Sequence, residues 1–298
     1  MVLAFDWTEL AQQTVIGLSA GGTWALLALA IVLIYRSTGV VNFAQGEMAM
    51  LSTFIAWSFV HHGLSYWAAF FLTVSISFAG GVAIERAVIR PVERAPVLTV
   101  VIVTLGLLFM VDGAAGWGWS PETRSLRSAF STRTINVGNV AFSIADLGNI
   151  AVSLGIVVLL GLLFRFTKLG LALRASALNP QESRLLGIRV SWMLALGWGL
   201  AAGMGAVSGL LTAYPSFDQN FMQPVLLYAL AGAVLGGLES PVGAVVGSLL
   251  LGVFINLVST YVDWIGNDLK LPVALAVILG ILLVRPAGVF GRVAVRRV

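Results

Sequence analysis

A short polar segment, residues 39–48, separates two long apolar stretches near the beginning of the chain. Asn42, Gln45 and Glu47 bring two amides and a carboxylate into this segment, and its glycines can break a helix. Non-helical backbone is tolerated at membrane depth only where protein or a water-filled cavity satisfies it, and a carboxylate there is a candidate functional group. The segment therefore predicts either a functional element inside the membrane or an interfacial loop in which Glu47 is simply hydrated.

A second interruption, residues 235–247, has the same character late in the chain. Gly236, Gly237 and Pro241 break an apolar run around Glu239. Broken segments at corresponding positions of two halves point to a transport site at a repeat interface. The two interruptions share no convincing residue-level identity, so an internal repeat is a hypothesis that the residues support weakly.

A short helix signal, residues 177–188, stands between apolar stretches that are long enough to sit in a bilayer. Asn179 is a good N-cap, Pro180 suits the first helical position, and Glu182 is placed to reach back to the N–H of the cap. The apolar edge and the left-handed end of this helix are predicted at Leu185, Leu186 and Gly187. The pattern predicts about two turns of helix. This helix either docks on a soluble partner or is only a helical turn within a plain connecting loop.

Other chemical motifs are missing from the sequence. His61 and His62 are the only histidines, and they stand side by side without metal-ligand spacing to a partner. The chain has no cysteine, no phosphate-binding GxxxxGKS/T motif and no plausible Ser/His/Asp arrangement. We therefore predict that the chain is not an enzyme, has no catalytic residues and binds no cofactor or metal itself.

Composition places the chain in a membrane. Of its 298 residues 59% are hydrophobic and 10% are charged, whereas a soluble domain carries about 25% charged residues. The basic residues cluster in loops rather than in a soluble patch, so the isoelectric point near 9.8 indicates membrane orientation and not nucleic-acid binding. We predict an all-α, polytopic transmembrane bundle that forms a single domain over residues 1–298.

Charge-free windows mark the membrane segments. The window at 48–84 holds 37 residues, which is enough for two helices around a turn at residues 61–63. The last window, 271–284, is short for a span and needs help from residues 264–270 or from a snorkelling Arg285. The other windows are 10–35, 95–111, 147–164, 190–217, 219–238 and 240–262. This count predicts eight or nine membrane segments, some of them broken or re-entrant.

The distribution of arginine and lysine predicts the orientation. Thirteen of the 17 basic residues lie at Arg36, at 86–94, at 165–189 and at 285–297. The positive-inside rule puts these places in the cytoplasm, with the N-terminus outside and the C-terminus inside. The loop at 117–146 then lies outside, although it contains Arg124, Arg127 and Arg133.

Glycine pairs with GxxxG spacing fill the later spans and predict close helix packing. They are Gly199/Gly203, Gly205/Gly209, Gly232/Gly236 and Gly243/Gly247.

Taken together, the motifs resemble the permease subunits of branched-chain amino acid ATP-binding-cassette (ABC) importers, specifically the H-type subunit. The resemblance runs through nearly the whole chain, and its combined motifs are highly specific. They lie at residues 22–30, 39–47, 85–86, 90–92, 170–177, 185–188, 235–237, 243–247 and 285–291.

The resemblance implies a multi-pass protein of the bacterial inner membrane that imports branched-chain or other apolar amino acids. Its partners would be a second permease chain of the diverged M-type, two cytoplasmic ATPases and an extracytoplasmic solute-binding protein. The cytoplasmic loop 165–191 would carry the coupling helix, with Asn179, Pro180, Glu182, Arg184, Leu185, Leu186 and Gly187. The pathway or its gate would include Asn42, Phe43, Gln45, Gly46, Glu47, Gly236, Gly237 and Glu239.

Two departures from the family pattern bear on the substrate. The family usually has histidine where Gln45 stands, and often glycine where Glu239 stands. A urea or short-amide importer has near-identical loop motifs and stays open as an alternative. An ion-coupled carrier or channel that uses Glu47 or Asp112 is a further alternative, whereas a structural scaffold fits the broken, polar-dotted spans poorly.

Overall fold

A bundle of eleven α-helices makes up most of the part of the chain that the structure describes. The computed structural model describes residues 7–93, 95–137, 140–262, 265–266, 268–285 and 288–291. The helices are α1 (Trp7–Thr38), α2 (Gln45–His61), α3 (Tyr66–Ile84), α4 (Val97–Trp119), α5 (Ile144–Phe166), α6 (Lys168–Leu178), α7 (Pro180–Leu185), α8 (Val190–Thr212), α9 (Met222–Gly236), α10 (Pro241–Tyr261) and α11 (Lys270–Val284). A π-helical turn (Glu85–Ile89) and a 3₁₀ turn (Arg90–Val92) extend α3.

Six of these helices are long and apolar enough to cross a membrane, namely α1, α3 with its extension, α4, α5, α8 and α10. The shorter apolar helices are α9 and α11, at 15 residues each, and α2 has 17 residues. The predicted count of eight or nine membrane segments is therefore not confirmed. The predicted division of the window at 48–84 is confirmed, because α2 ends at His61 and α3 begins at Tyr66.

Helix α1 is the centre of the bundle. All of its residues from 21 to 32 are buried, and it packs against α5, α8, α9 and α10. A helix that is apolar on every side lies either in the core of a protein or against lipid, and the burial of α1 shows that it is in the core. Helices α3, α4 and α11 lie further out, where α3 packs on α8, α4 packs on α2 and α11 packs on α9.

Glycines set the distances between the helices. A Cβ at Gly199 would lie 2.8 Å from Val82 Cγ2 on α3, and one at Gly209 would lie 2.8 Å from the Ala49 carbonyl oxygen on α2. Helix α8 thus uses one glycine pair against α3 and the other against α2. The pairs Gly232/Gly236 and Gly243/Gly247 bring α9 and α10 into backbone contact in the same way. The prediction that these pairs are packing positions is confirmed.

The sequence predicts an all-α chain, but the described residues also contain four short strands. They are β1 (Arg124–Ser125), β2 (Thr134–Val137), β3 (Val140–Ser143) and β4 (Ser216–Phe217), paired antiparallel as β1 with β4 and β2 with β3. Arg124 donates a hydrogen bond to the Trp119 carbonyl, and its guanidinium lies 4.2 Å from the centre of the Trp57 ring. This arginine of the 117–146 loop is therefore held against the ends of α2 and α4.

Some sequence predictions fall on residues outside the described ranges. These are the acidic N-terminus with Asp6, the basic Arg94, the contribution of Trp264 to the last span, residues 286–287 of the C-terminal motif, and the basic C-terminus at 292–298.

Candidate functional site

The polar segment before α2 is folded into the interior of the bundle. Asn42 and Gln45 have no exposed surface, and Phe43 is half-buried. Asn42 Nδ2 donates a hydrogen bond to Gln45 Oε1 at 3.2 Å, and Asn42 Oδ1 accepts one from the Ala44 N–H at 3.1 Å. The side chains of the segment thus satisfy each other and its non-helical backbone, as a membrane interior requires.

Helix α2 begins deep beside α8 rather than at an end of the bundle. Gln45 Nε2 donates a hydrogen bond to the Ala201 carbonyl at 3.0 Å. Ala201 lies eleven residues after the start of α8 at Val190, which is about 16 Å along a helix. Since α2 starts at that depth, it needs only 17 residues, and the interpretation of residues 39–48 as a hydrated interfacial loop disagrees with this burial.

Glu47 is the buried carboxylate of the site. The residue is 3% exposed, and its Oε2 atom has no hydrogen-bond partner among the described residues. The Gln223 side chain at the start of α9 lies beside its carboxylate, and Asp112 on α4 is close enough to interact with it electrostatically. Three helices therefore meet at Glu47.

A second amide holds Asp112 in place. Gln219 Nε2 donates to both Asp112 Oδ1, at 2.6 Å, and the Asp112 carbonyl, at 2.8 Å. The site thus combines two carboxylates, Glu47 and Asp112, with two amides, Gln219 just before α9 and Gln223 in its first turn. Sequence reasoning singled out both acidic residues but missed Gln219 and Gln223, because no local pattern distinguishes a glutamine that reaches another helix from a hydrated one.

Gly46 permits the close approach of α9 to α2. A Cβ at this position would meet Leu226 Cβ at 3.2 Å and the Met222 carbonyl oxygen at 3.4 Å. A larger residue would push the start of α9 away from Glu47. Gly46 is therefore a packing position next to the polar cluster.

The second interrupted segment forms the tight turn between α9 and α10. Gly237 adopts a φ of +101°, which favours glycine, and Ser240 caps α10 by accepting a hydrogen bond from the Gly243 N–H at 3.0 Å. Glu239 is exposed in this turn. The structure therefore places Glu239 on the surface of the isolated chain and not beside Glu47.

The end of α9 is completed by a segment from the C-terminal part of the chain. Val289 N–H donates to the Leu235 carbonyl at 2.8 Å, and Phe290 N–H donates to the Gly236 carbonyl at 3.2 Å. The last carbonyls of a helix have no partner within the helix, so this contact satisfies two of them. Gly236 is thus a backbone packing position, and its role in a gate stays a prediction.

Helix α7 has the predicted boundaries. Asn179 Oδ1 accepts a hydrogen bond from the Glu182 N–H at 3.2 Å, and Pro180 is the first helical residue. At the other end, Gly187 has a φ of +81°, and Ile188 N–H donates to the Ser183 carbonyl at 3.0 Å, as in a Schellman cap. The N-cap and the left-handed glycine end are therefore confirmed.

One detail of the predicted cap is wrong. The Glu182 side chain was expected to accept from the N–H of the Asn179 cap, but that N–H donates to the Ala175 carbonyl at 3.0 Å. The reason is that a helix, α6, ends at Leu178 directly before the cap, where the sequence predicts a loop. Its last turn already uses the donor that a capping box would satisfy.

Two leucines at the end of α7 are almost free of contacts within the chain. Leu185 is 89% exposed and Leu186 is 80% exposed. Arg184, in the last turn of the same helix, is also exposed. The helix therefore offers an apolar tip with an adjacent positive charge.

The start of α8, just beyond this loop, is tied to the end of α3. The Arg86 guanidinium lies 3.7 Å from the centre of the Trp192 ring, and Arg90 donates to the Ser191 carbonyl at 3.1 Å. Arg90 also pairs with the buried Glu85 at 3.2 Å. These contacts give the motifs at 85–86 and 90–92 a structural role, because they hold the end of the loop 165–191 against α3.

Comparison with known proteins gives a consistent result. Residues 13–284 match the family described as branched-chain amino acid transport system / permease component. The high-affinity branched-chain amino acid transport system permease protein LivH of Salmonella typhimurium is 30% identical over 303 residues, covering 96% of this chain and 97% of LivH. Its counterpart BraD of Pseudomonas aeruginosa is 30% identical over 308 residues, with the same two coverages.

A more distant relative carries a different name. The fructose import permease protein FruF of Bifidobacterium longum is 22% identical over 262 residues, covering 84% of this chain and 72% of FruF. The family match nevertheless spans nearly the whole chain, and the motif resemblance found in the sequence is confirmed. The chain belongs to the permease-component family of the branched-chain amino acid transport systems.

Proposed function

We propose that this permease component of an ABC importer moves branched-chain or other apolar amino acids delivered by an extracytoplasmic solute-binding protein. The names of LivH and BraD, both 30% identical to this chain over nearly its full length, support that substrate class. The observation that carries the ATP-driven mechanism is the exposed pair Leu185 and Leu186 on a well-capped helix. Exposing such an apolar tip to water is unfavourable, and docking on a partner removes this exposure.

In this proposal α7 is the coupling helix. Asn179, Pro180 and Gly187 shape it, and Glu182, Arg184 and the two leucines contact a groove on a cytoplasmic ATPase. ATP-driven closure of two such ATPases pushes on α7 and shifts the bundle between outward-open and inward-open arrangements. The chain itself contributes no catalytic residue and binds no cofactor, and a second permease of the diverged M-type completes the pathway.

The proposed pathway or gate runs past the polar segment before α2. Asn42, Phe43, Gln45 and Gly46 would frame it, and Glu47 would face the ammonium group of a zwitterionic substrate. The burial of Glu47 beside Asp112 and Gln223 supports this assignment, because ionisable residues inside a membrane are costly and usually mark a pathway for substrate or ions. The hairpin with Gly236, Gly237 and Glu239 would form the inner end.

A charge-neutral substitution tests the pathway assignment. Glu47→Gln keeps the side-chain shape and removes the negative charge, so we expect the KM for leucine uptake to rise at least tenfold. Glu122→Gln, in the exposed outer loop, is the matched control and should leave uptake unchanged. An unchanged KM in the Glu47 variant would remove Glu47 from the pathway.

The proposed orientation has the N-terminus outside and the C-terminus in the cytoplasm, in a bacterial inner membrane. The chain lacks cysteine, so single cysteines report on position without background. A membrane-impermeant thiol reagent added to intact cells should label His62→Cys and should leave Glu182→Cys unlabelled. Labelling of Glu182→Cys but not of His62→Cys would show that the chain has the opposite orientation.

Substrate class and energy source are tested together by deleting the gene and measuring uptake. Labelled leucine, urea and fructose are compared with ATP intact and with ATP depleted. Loss of ATP-dependent leucine uptake alone is the expected result. Loss of urea or fructose uptake with leucine uptake unchanged would show that urea or fructose, and not leucine, is the substrate. Uptake that depends on the proton gradient but survives ATP depletion would favour an ion-coupled carrier.

A further inference from the structure

An apolar cavity of about 430 Å³ opens on one side of the bundle, away from the polar cluster at Glu47. Helices α1, α5, α8 and α10 form its walls, and α6 forms its end. Aliphatic and aromatic side chains such as Leu33, Leu160, Phe164 and Val245 line most of it. Its volume lies in the range of small-molecule pockets, about 300–1,000 Å³.

Three arginines from three different helices line the same cavity. Arg36 is in the last turn of α1, Arg165 is in the last turn of α5, and Arg174 is on α6. No acidic side chain lines the cavity. Among the described residues the only ion pair joins Arg90 to Glu85, so these three guanidinium groups have no carboxylate partner there.

A buried hydroxyl also lines this end of the cavity. Ser176 lines the cavity next to Arg174, is 3% exposed, and its Oγ atom has no hydrogen-bond partner among the residues described. Buried hydroxyl groups in native structures usually have a hydrogen-bond partner. An acceptor oxygen held by the arginines would satisfy the Ser176 hydroxyl.

Two glycines keep the cavity wide. A Cβ at Gly161 on α5 or at Gly197 on α8 would meet no atom outside its own helix within 4 Å. Both residues line the cavity, so neither is needed for close helix packing there. The open space extends from the arginine-lined end along the apolar walls.

We propose that this cavity binds one anionic phospholipid, with an acyl chain along the apolar walls and the phosphate among Arg36, Arg165 and Arg174. The chain crosses a membrane, so lipid is the surrounding solvent of the bundle. A positively charged pocket between transmembrane helices is the kind of site that holds acidic head groups. A free anion would satisfy the arginines but leave the apolar walls empty, and a neutral lipid would leave the arginines unpaired.

Native mass spectrometry of the purified, delipidated transporter complex tests the proposal. Phosphatidylglycerol and phosphatidylcholine with identical acyl chains are added in turn. We expect one phosphatidylglycerol to stay bound with at least tenfold tighter affinity than phosphatidylcholine. Equal affinity of the two lipids would overturn the proposal.

Matched variants separate the head-group and acyl-chain contacts. The double variant Arg36→Gln/Arg174→Gln should weaken phosphatidylglycerol binding about tenfold, whereas Lys168→Gln, outside the cavity on α6, should not change it. Gly161→Leu fills the cavity and should abolish binding. Gly155→Leu, six residues earlier on an exposed face of α5, is the control and should leave binding intact.

A cavity-filled variant that still binds phosphatidylglycerol as well as the Gly155→Leu control would place the lipid elsewhere. Inorganic phosphate alone is the last arm of the test. If phosphate at equal concentration displaces the lipid completely, the arginines form an anion site and the acyl chain contributes nothing. If the double arginine variant does not assemble, the comparison of lipids on the unmodified complex and the two glycine variants decide the question.

Discussion

Leu186→Asp is the sharpest test of the coupling helix, and its size can be worked out from the structure. Leu186 is 80% exposed in the isolated chain, so its side chain contributes almost nothing to folding and almost all of its burial is available for docking. Moving a leucine side chain from water into an apolar groove contributes about 1.5–3 kcal/mol. Losing about 2 kcal/mol raises the Kd for the ATPase about 30-fold, and the desolvation of the aspartate adds to this loss.

The assay has two readouts from the same membranes. ATPase that co-purifies with the permease reports docking, and ATP-dependent uptake of labelled leucine reports coupling. Leu178→Asp is the control, because Leu178 is 77% exposed at the end of α6, one helix earlier. We expect Leu186→Asp to abolish both readouts while the amount of inserted permease and the behaviour of the control stay normal.

Normal co-purification and uptake in the Leu186→Asp variant would refute the assignment of α7 to ATPase docking. Equal loss in both variants would place the contact on the whole loop 165–191 rather than on the tip of α7. This test also rests on the proposed importer function, and the uptake experiment on the gene deletion checks that function independently.

Three further substitutions test the local structure. Asn179→Ala removes the N-cap of α7, so we expect a loss of about 1 kcal/mol of local stability, seen as faster amide exchange in α7. Gln45→Ala leaves the fully buried amide of Asn42 without its acceptor and the Ala201 carbonyl without its donor, so thermal stability in detergent should fall by the equivalent of about 1–3 kcal/mol. Gly209→Leu forces α8 away from the backbone of α2 and should cost about 1–3 kcal/mol or more, whereas Gly80→Leu, with open space around it, should cost little on the same thermal ramp.

The position of the arginine-lined cavity gives the lipid proposal a consequence for the same loop. Arg174 and Ser176 belong to α6, which runs directly into the Asn179 cap of α7. A lipid phosphate held by Arg174 would therefore fix α6 against α1 through Arg36. The loop that carries the coupling helix would then be anchored at both ends, by the lipid site before α7 and by the Arg86–Trp192 contact after it.

The sequence alone determined those features whose causes are local. The cap at Asn179 and the left-handed Gly187 follow from hydrogen bonds that close within a few residues, so the pattern contained all the information needed. The apolar windows located the helices because burial in lipid depends on composition over about 20 residues. The division at residues 61–63 and the GxxxG packing positions were predictable for the same reasons.

Only the tertiary structure decided features that depend on distant partners. The Ala201 carbonyl receives Gln45, and Gln219 reaches Asp112 across more than a hundred residues, so neither contact has a local signature. The missing capping-box bond of Glu182 depends on where α6 ends. The short length of α2 likewise depends on a distant partner, because the depth at which α2 starts is set by its contact with α8. The pairing of β1 with β4 joins the 117–146 loop to the segment after α8 and has no local signature either.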